Sequence, residues 1–109
     1  MKLSLVFWKS DQGKEPVREW LRKMDVEARK AIGDDIRYVQ EKWTDGVGKP
    51  YVDGFGAGLY EVRTKYDKKQ YRVLFCIEDE TIILLHGFIK KTKKTPTADV
   101  DLGRHRQKE

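Results

Sequence analysis

The sequence predicts an α+β domain in which two N-terminal helices pack on one face of a small antiparallel sheet and a short helix closes the chain. Three observations carry this reading. Apolar residues recur at helical spacing between Pro16 and Trp43, and from Leu59 to Lys90 they alternate with polar residues at strand spacing. The strands also cluster after the helices instead of alternating with them, which separates this order from a parallel doubly wound fold. With 109 residues the chain builds one core, so residues 1–109 are read as a single domain.

Leu3–Trp8 is apolar and aromatic enough for a first strand, ended by the polar turn Lys9–Gly13. Pro16 suits a first helical position, and Val17, Trp20, Leu21 and Met24 fall on one stripe. Asp25 caps a second helix whose buried stripe is Ala28, Ile32, Ile36, Val39 and Trp43, opposite a face of nearly cancelling charges. Trp20 and Trp43 therefore read as core residues, not as platforms for bases. Residues 44–58 form a glycine-rich loop. Its Gly46-Val47-Gly48-Lys49 is not a phosphate loop, since the glycines are too close and Pro50 stands where Ser or Thr must bind magnesium.

From Gly58 onward Leu59, Glu61, Arg63 and Lys65 share one strand face, and Tyr60, Val62, Thr64 and Tyr66 share the other. In the next strand Tyr71, Val73, Phe75 and Ile77 form an apolar row beside Arg72, Leu74 and Cys76. A two- or four-residue turn around Asp67-Lys68-Lys69 places Arg63, Lys65 and Arg72 together, and only that register packs Tyr60, Val62, Val73 and Phe75 on the opposite face. Thr81–Lys90 is the last strand. Its aliphatic set, Ile83, Leu85 and Ile89, is expected to face the helices, while His86, Phe88 and Lys90 join the arginines on an uncovered face. Thr95 then caps a terminal helix beginning at Pro96, weakened by Gly103.

Composition narrows the function classes. Charged residues make up 38% and hydrophobic ones 39%, which suits a folded domain better than a disordered one. A net charge of +5 favours an acidic partner such as nucleic acid. The single cysteine, Cys76, forms no internal disulfide and fits a reducing cytoplasm. No apolar run is long enough for a membrane span or a signal-peptide core. His86 and His105 lack a ligand-like companion pattern, so neither a metal nor another cofactor is expected.

The basic residues carry the chemistry. Lys90, Lys91, Lys93 and Lys94 extend the positive strip beyond the last strand as an edge that follows a phosphate backbone, and Phe88 is placed to stack on a base. Metal-free RNA cleavage needs a base for the 2′-hydroxyl, an acid for the leaving oxygen and cations for the charge building on phosphorus. Each residue also has a plainer reading: a solvated sheet face paired with Glu61, a flexible lysine linker, a structural histidine.

GLYEVRTKY followed by YRVLF, and then LLHGFIKKTKKTP, resembles the RelE/HigB superfamily of toxins from type II toxin–antitoxin modules, in particular its phage-derived HigB-like subgroup. PVREWL supports the likeness, which spans nearly the whole chain, and the element order agrees with the RelE-like fold. Gly103 departs from it, standing where a helix former is expected, and so does Glu15, which replaces a small capping residue. The resemblance implies a cytoplasmic mRNA interferase, a metal-independent endoribonuclease that cleaves messenger RNA in the A site of the 30S subunit and so inhibits translation. It implies a cognate helix-turn-helix, HigA-like antitoxin that silences the protein in a hetero-oligomer. On it, Arg63 and Arg72 go to the scissile phosphate, His86 to proton transfer, Glu61 to a base or counter-ion role, and Lys65, Lys90 and Lys91 to substrate phosphates. Two other classes remain open: a ParE-like gyrase inhibitor, and a non-catalytic RNA- or ribosome-binding module.

Overall fold

Burial of the alternating apolar rows orders five strands as β1-β5-β4-β3-β2: β1 (Ser4–Phe7), β2 (Val52–Gly54), β3 (Tyr60–Tyr66), β4 (Lys69–Glu78) and β5 (Thr81–Lys90). Among the described residues three helices complete the α+β fold: α1 (Pro16–Lys23), α2 (Val26–Lys42) and α3 (Thr97–Gln107). The computed structural model describes residues 2–43 and 52–109, so the Gly46–Pro50 segment discussed above lies outside the described residues. No helix among the described residues is long and apolar enough to cross a membrane.

The sheet is mixed, which corrects the antiparallel expectation. β2 through β5 run antiparallel to their neighbours, whereas β1 pairs in parallel with β5, Val6 opposite Ile83. Strands joined by tight turns must reverse direction, but β1 is followed by α1 and α2 instead of a tight turn and is free of that constraint. β2 falls inside the stretch read as loop. Three residues ending in glycine are too few to show a period.

Val17 of α1 and Ala28, Ile32, Ile36 and Val39 of α2 share one core with Val62, Tyr71, Val73, Phe75, Ile82 and Leu84 of the sheet. Asp25 caps α2, its carboxylate accepting from the Ala28 amide at 3.3 Å. Trp43 sits edge-on to Tyr60 and Phe75, at 4.8 and 5.8 Å between centroids, as its place on the stripe predicts.

The second face is not left open. Leu59, Leu74, Cys76 and Leu85 form a second cluster, packed against Val100 of α3 and Phe88. A bulge between Leu74 and Phe75 decides the facing of β5: His86 pairs with Leu74 and Leu84 with Phe75, so the alternation shifts by one residue at Leu85. Ile82 and Leu84 consequently enter the α1/α2 core and Ile83 and Leu85 the α3 cluster, the reverse of the strict alternation expected for them.

Gly103 proves to be the seat of α3 and no interruption. It is buried, and a Cβ there would stand 2.7 Å from the tip of the Leu74 side chain, so a larger residue must displace that side chain or back the helix away from β4. Polar straps add to the contact. Arg104 donates to the carbonyls of Phe55 and Gly56, Gln107 to that of Ala57, and Arg106 to that of Leu85 while lying 4.8 Å over the Trp8 ring. Thr95 does not cap α3; Pro96 occupies the cap position without a side-chain bond.

Candidate nucleic-acid interface

The β3–β4 hairpin turns through Asp67 and Lys68, both with positive φ (49° and 64°), which is the backbone of a two-residue hairpin loop. Arg63 and Arg72 are therefore direct cross-strand partners, and Tyr60 pairs with Phe75 and Val62 with Val73 on the core side. Across three strands the second face reads Glu61–Leu74–His86, then Arg63–Arg72–Phe88, then Lys65–Gln70–Lys90.

Two adjoining concavities open on this face. One, of about 420 Å³, is lined by Arg63, Gln70, Arg72, Lys90, Lys91, Thr92 and Lys93. The other, of about 470 Å³, shares Arg63, Lys90 and Lys93 with it and extends past Lys94, Thr95 and Thr97 to the apolar Phe55 and Val100, with Asp53 and Glu61 also in its wall. Arg63 thus stands between a basin rimmed by cations and a mixed one. Lys65 is exposed at the hairpin end and lines neither.

The two arginines differ in environment. Arg72 is 4% exposed; its Nη1 donates to the Tyr71 carbonyl at 3.1 Å and its Nη2 to Gln70 Oε1 at 3.0 Å. Its Nε lies 3.6 Å from Glu61 Oε1, within ion-pair reach but too long for a hydrogen bond. Burial lowers the Arg72 guanidinium from its ordinary value and Arg63 adds to the effect, while Glu61 opposes it; an arginine stays charged at neutral pH all the same. Glu61 is 1% exposed and accepts a bond from the Thr95 hydroxyl at 2.7 Å. A chain of contacts, Gln70–Arg72–Glu61–Thr95, therefore ties the lysine segment after β5 to the floor of the face. Lys90 is also lowered, first by burial and then by the neighbouring Arg72.

His86 lies apart from both concavities. Its Nε2 is 2.6 Å from Asp99 Oδ1 on α3, and its ring stacks on Phe88 at 5.4 Å. Phe88 itself packs into the α3 cluster. His105 is exposed and pairs with Glu109 at 3.0 Å. No group of three or more His, Cys, Asp or Glu side chains is placed to hold a metal among the described residues.

Of the residues singled out from sequence, the fold brings Arg63, Arg72, Glu61, Lys90, Lys91, Lys93 and Lys94 to two adjoining concavities on one face. His86 and Phe88 share the face but lie beneath α3. Gln70, Thr95 and Asp99 were not foreseen. Gln70 was within reach, since it is in phase with Arg72 on the same strand; the Asp99 contact spans thirteen residues and carries no local signal.

Fold and face together define a small basic α+β protein with a cation-lined hollow on its sheet. The model of the family described as phage derived protein Gp49-like (DUF891) matches residues 19–108, and the chain belongs to this family of phage-derived, toxin-like proteins associated with toxin–antitoxin systems. No curated protein matches the chain.

Proposed function

We propose that this protein is the toxin of a type II toxin–antitoxin module, a HigB-like mRNA interferase that cleaves messages on the ribosome without a metal ion. The observation that supports the reading best is the convergence of Arg63, Arg72, Lys90, Lys91 and Lys93 on one open concavity. Arg63, the less buried of the arginines, grips the scissile phosphate, with Arg72 contributing its charge from the floor. Lys90 and Lys91 hold that phosphate or its neighbours; Lys93, Lys94 and, at the rim, Lys65 follow the backbone outward. Glu61, buried beneath them, acts as the counter-ion that orients Arg72. Lys90, lowered by its surroundings, gives up a proton more readily than an ordinary lysine and shares proton transfer with His86. His86 takes that role once Asp99 releases it.

Two observations favour a second reading. The occupied imidazole and the buried Arg72–Glu61 pair also suit a non-catalytic module that binds RNA or the ribosome. Mapping the 5′ ends of messages after brief induction separates the two. Cuts in register with codons, lost when translation is blocked, support the interferase; growth arrest with intact messages supports the binding module.

A further inference from the structure

A second hollow lies on the opposite side of the sheet, where β1 forms the border. Leu5 and Phe7 of β1, Leu21 of α1, Ile36 of α2 and Leu84 of β5 line an apolar concavity of about 270 Å³, bounded by Arg37. Phe7 and Leu21 continue into a neighbouring concavity of about 220 Å³ whose other walls are Arg18, Arg22 and Arg29. Leu5 and Val6 are 36% and 46% exposed. Among the described residues no carboxylate lines either concavity. Arg18 bonds Glu15 and Arg37 lies 4.0 Å from Asp34, whereas Arg22 and Arg29 form no ion pair among the described residues.

Two further features point to an occupant. The amides of Ser4 and Trp8 donate towards β5, so the intervening Leu5 and Phe7 turn their backbone groups to the open border. Gly33, in the middle of α2, also lines the hollow, and nothing lies within 4 Å of where its Cβ would stand. A mid-helix glycine costs about 1 kcal/mol relative to alanine, and no contact inside the molecule requires it.

We infer that this groove docks an acidic, extended segment of a partner protein, which adds to the border of β1 and lays alternate apolar side chains over Leu5, Phe7 and Leu21. Strand addition satisfies the open backbone groups, the apolar floor takes every second side chain, and the arginine rim takes the carboxylates between them. A second copy of the chain is the poorer occupant, because it carries its own arginines and a net charge of +5.

The test uses the full chain and a fluorescein-labelled decapeptide alternating glutamate and valine, with the lysine–valine counterpart as control, read by fluorescence anisotropy. The groove predicts that the glutamate peptide binds and the lysine peptide does not. Gly33→Trp, which fills open space, weakens binding tenfold or more, as does the Arg22→Glu/Arg29→Glu variant, which changes one exposed and one half-buried rim position and serves as the second variant should Gly33→Trp fail to fold. Arg63→Ala, on the other face, changes nothing. The inference is overturned if the wild-type protein ignores the glutamate peptide, if both groove variants bind it undiminished, if Arg63→Ala alone abolishes binding, or if Gly33→Trp instead abolishes self-association. Nuclease activity enters none of these readings, so they stand apart from the proposed function.

Discussion

Arg63 and Arg72 face each other across one hairpin, yet burial gives them different consequences. Arg63→Ala removes a cation from the surface of the hollow and is expected to change unfolding free energy by no more than about 1 kcal/mol, while abolishing growth arrest on induction. Arg72→Ala leaves Glu61, 1% exposed, as a buried carboxylate without its guanidinium, and breaking a buried pair in this way costs about 3–5 kcal/mol. Chemical denaturation of the two purified variants measures the contrast; equal stabilities would show that the Arg72–Glu61 pair holds nothing together. By pattern alone the two arginines are equivalent, since alternation fixes a face but not the depth at which a side chain ends. Cys76 offers a second check. Burial pushes its thiol from 9.0 up to about 11, so the native thiol stays protonated and closed to thiol reagents at pH 8. Above about pH 9 the unfolded chain ionises first, and this group's contribution to stability falls as pH rises from there towards about 11. Rapid labelling of the folded protein at pH 8 would contradict this.

At the scale of elements, the hairpin was the most legible part of the chain. Two constraints agree on it: burial of Tyr60, Val62, Val73 and Phe75, and a two-residue turn, one of the two loop lengths that permit it. Both turn residues are non-glycine at positive φ, so Lys68→Gly is expected to stabilise the protein by about 1 kcal/mol, read as a rise in melting temperature. The helical stripes of α1 and α2 were equally plain, because seventeen residues of α2 display several turns of period. β5 departs from strict alternation for a local reason: the bulge beside Leu74 and Phe75 adds one residue to the count and exchanges the faces of Ile82–Leu85, and no residue type announces it. The role of α3 was hidden differently. Its grip consists of Gly103 fitting against Leu74 and of arginines reaching carbonyls far away in the chain, and none of these is a periodic signal. Gly103→Leu is therefore expected to destabilise by about 1–3 kcal/mol through overpacking and to speed hydrogen exchange along α3. Unchanged exchange would mean that the helix does not depend on that approach.

On the scale of the whole molecule, the charges are partitioned by the sheet. One side carries Arg63, Arg72 and the lysines after β5, the other the arginine-rimmed groove beside β1. A net charge of +5 speeds approach to any polyanion, but concave geometry is what distinguishes this face from a merely basic surface. If Arg63, Lys90, Lys91 and Lys93 each neutralise a phosphate, the logarithm of the affinity for single-stranded RNA should fall against that of salt concentration with a slope of about −3, and Lys93→Ala should reduce the slope by about 0.7. The most direct measurement places the purified protein with ribosomes translating a defined message and locates 5′ ends by primer extension. Cleavage inside codons at the A site, requiring the ribosome and disappearing with Arg63→Ala, is the expected result. An uncut message, or cuts that persist when Arg63 is gone, would contradict the assignment of this hollow to the scissile phosphate.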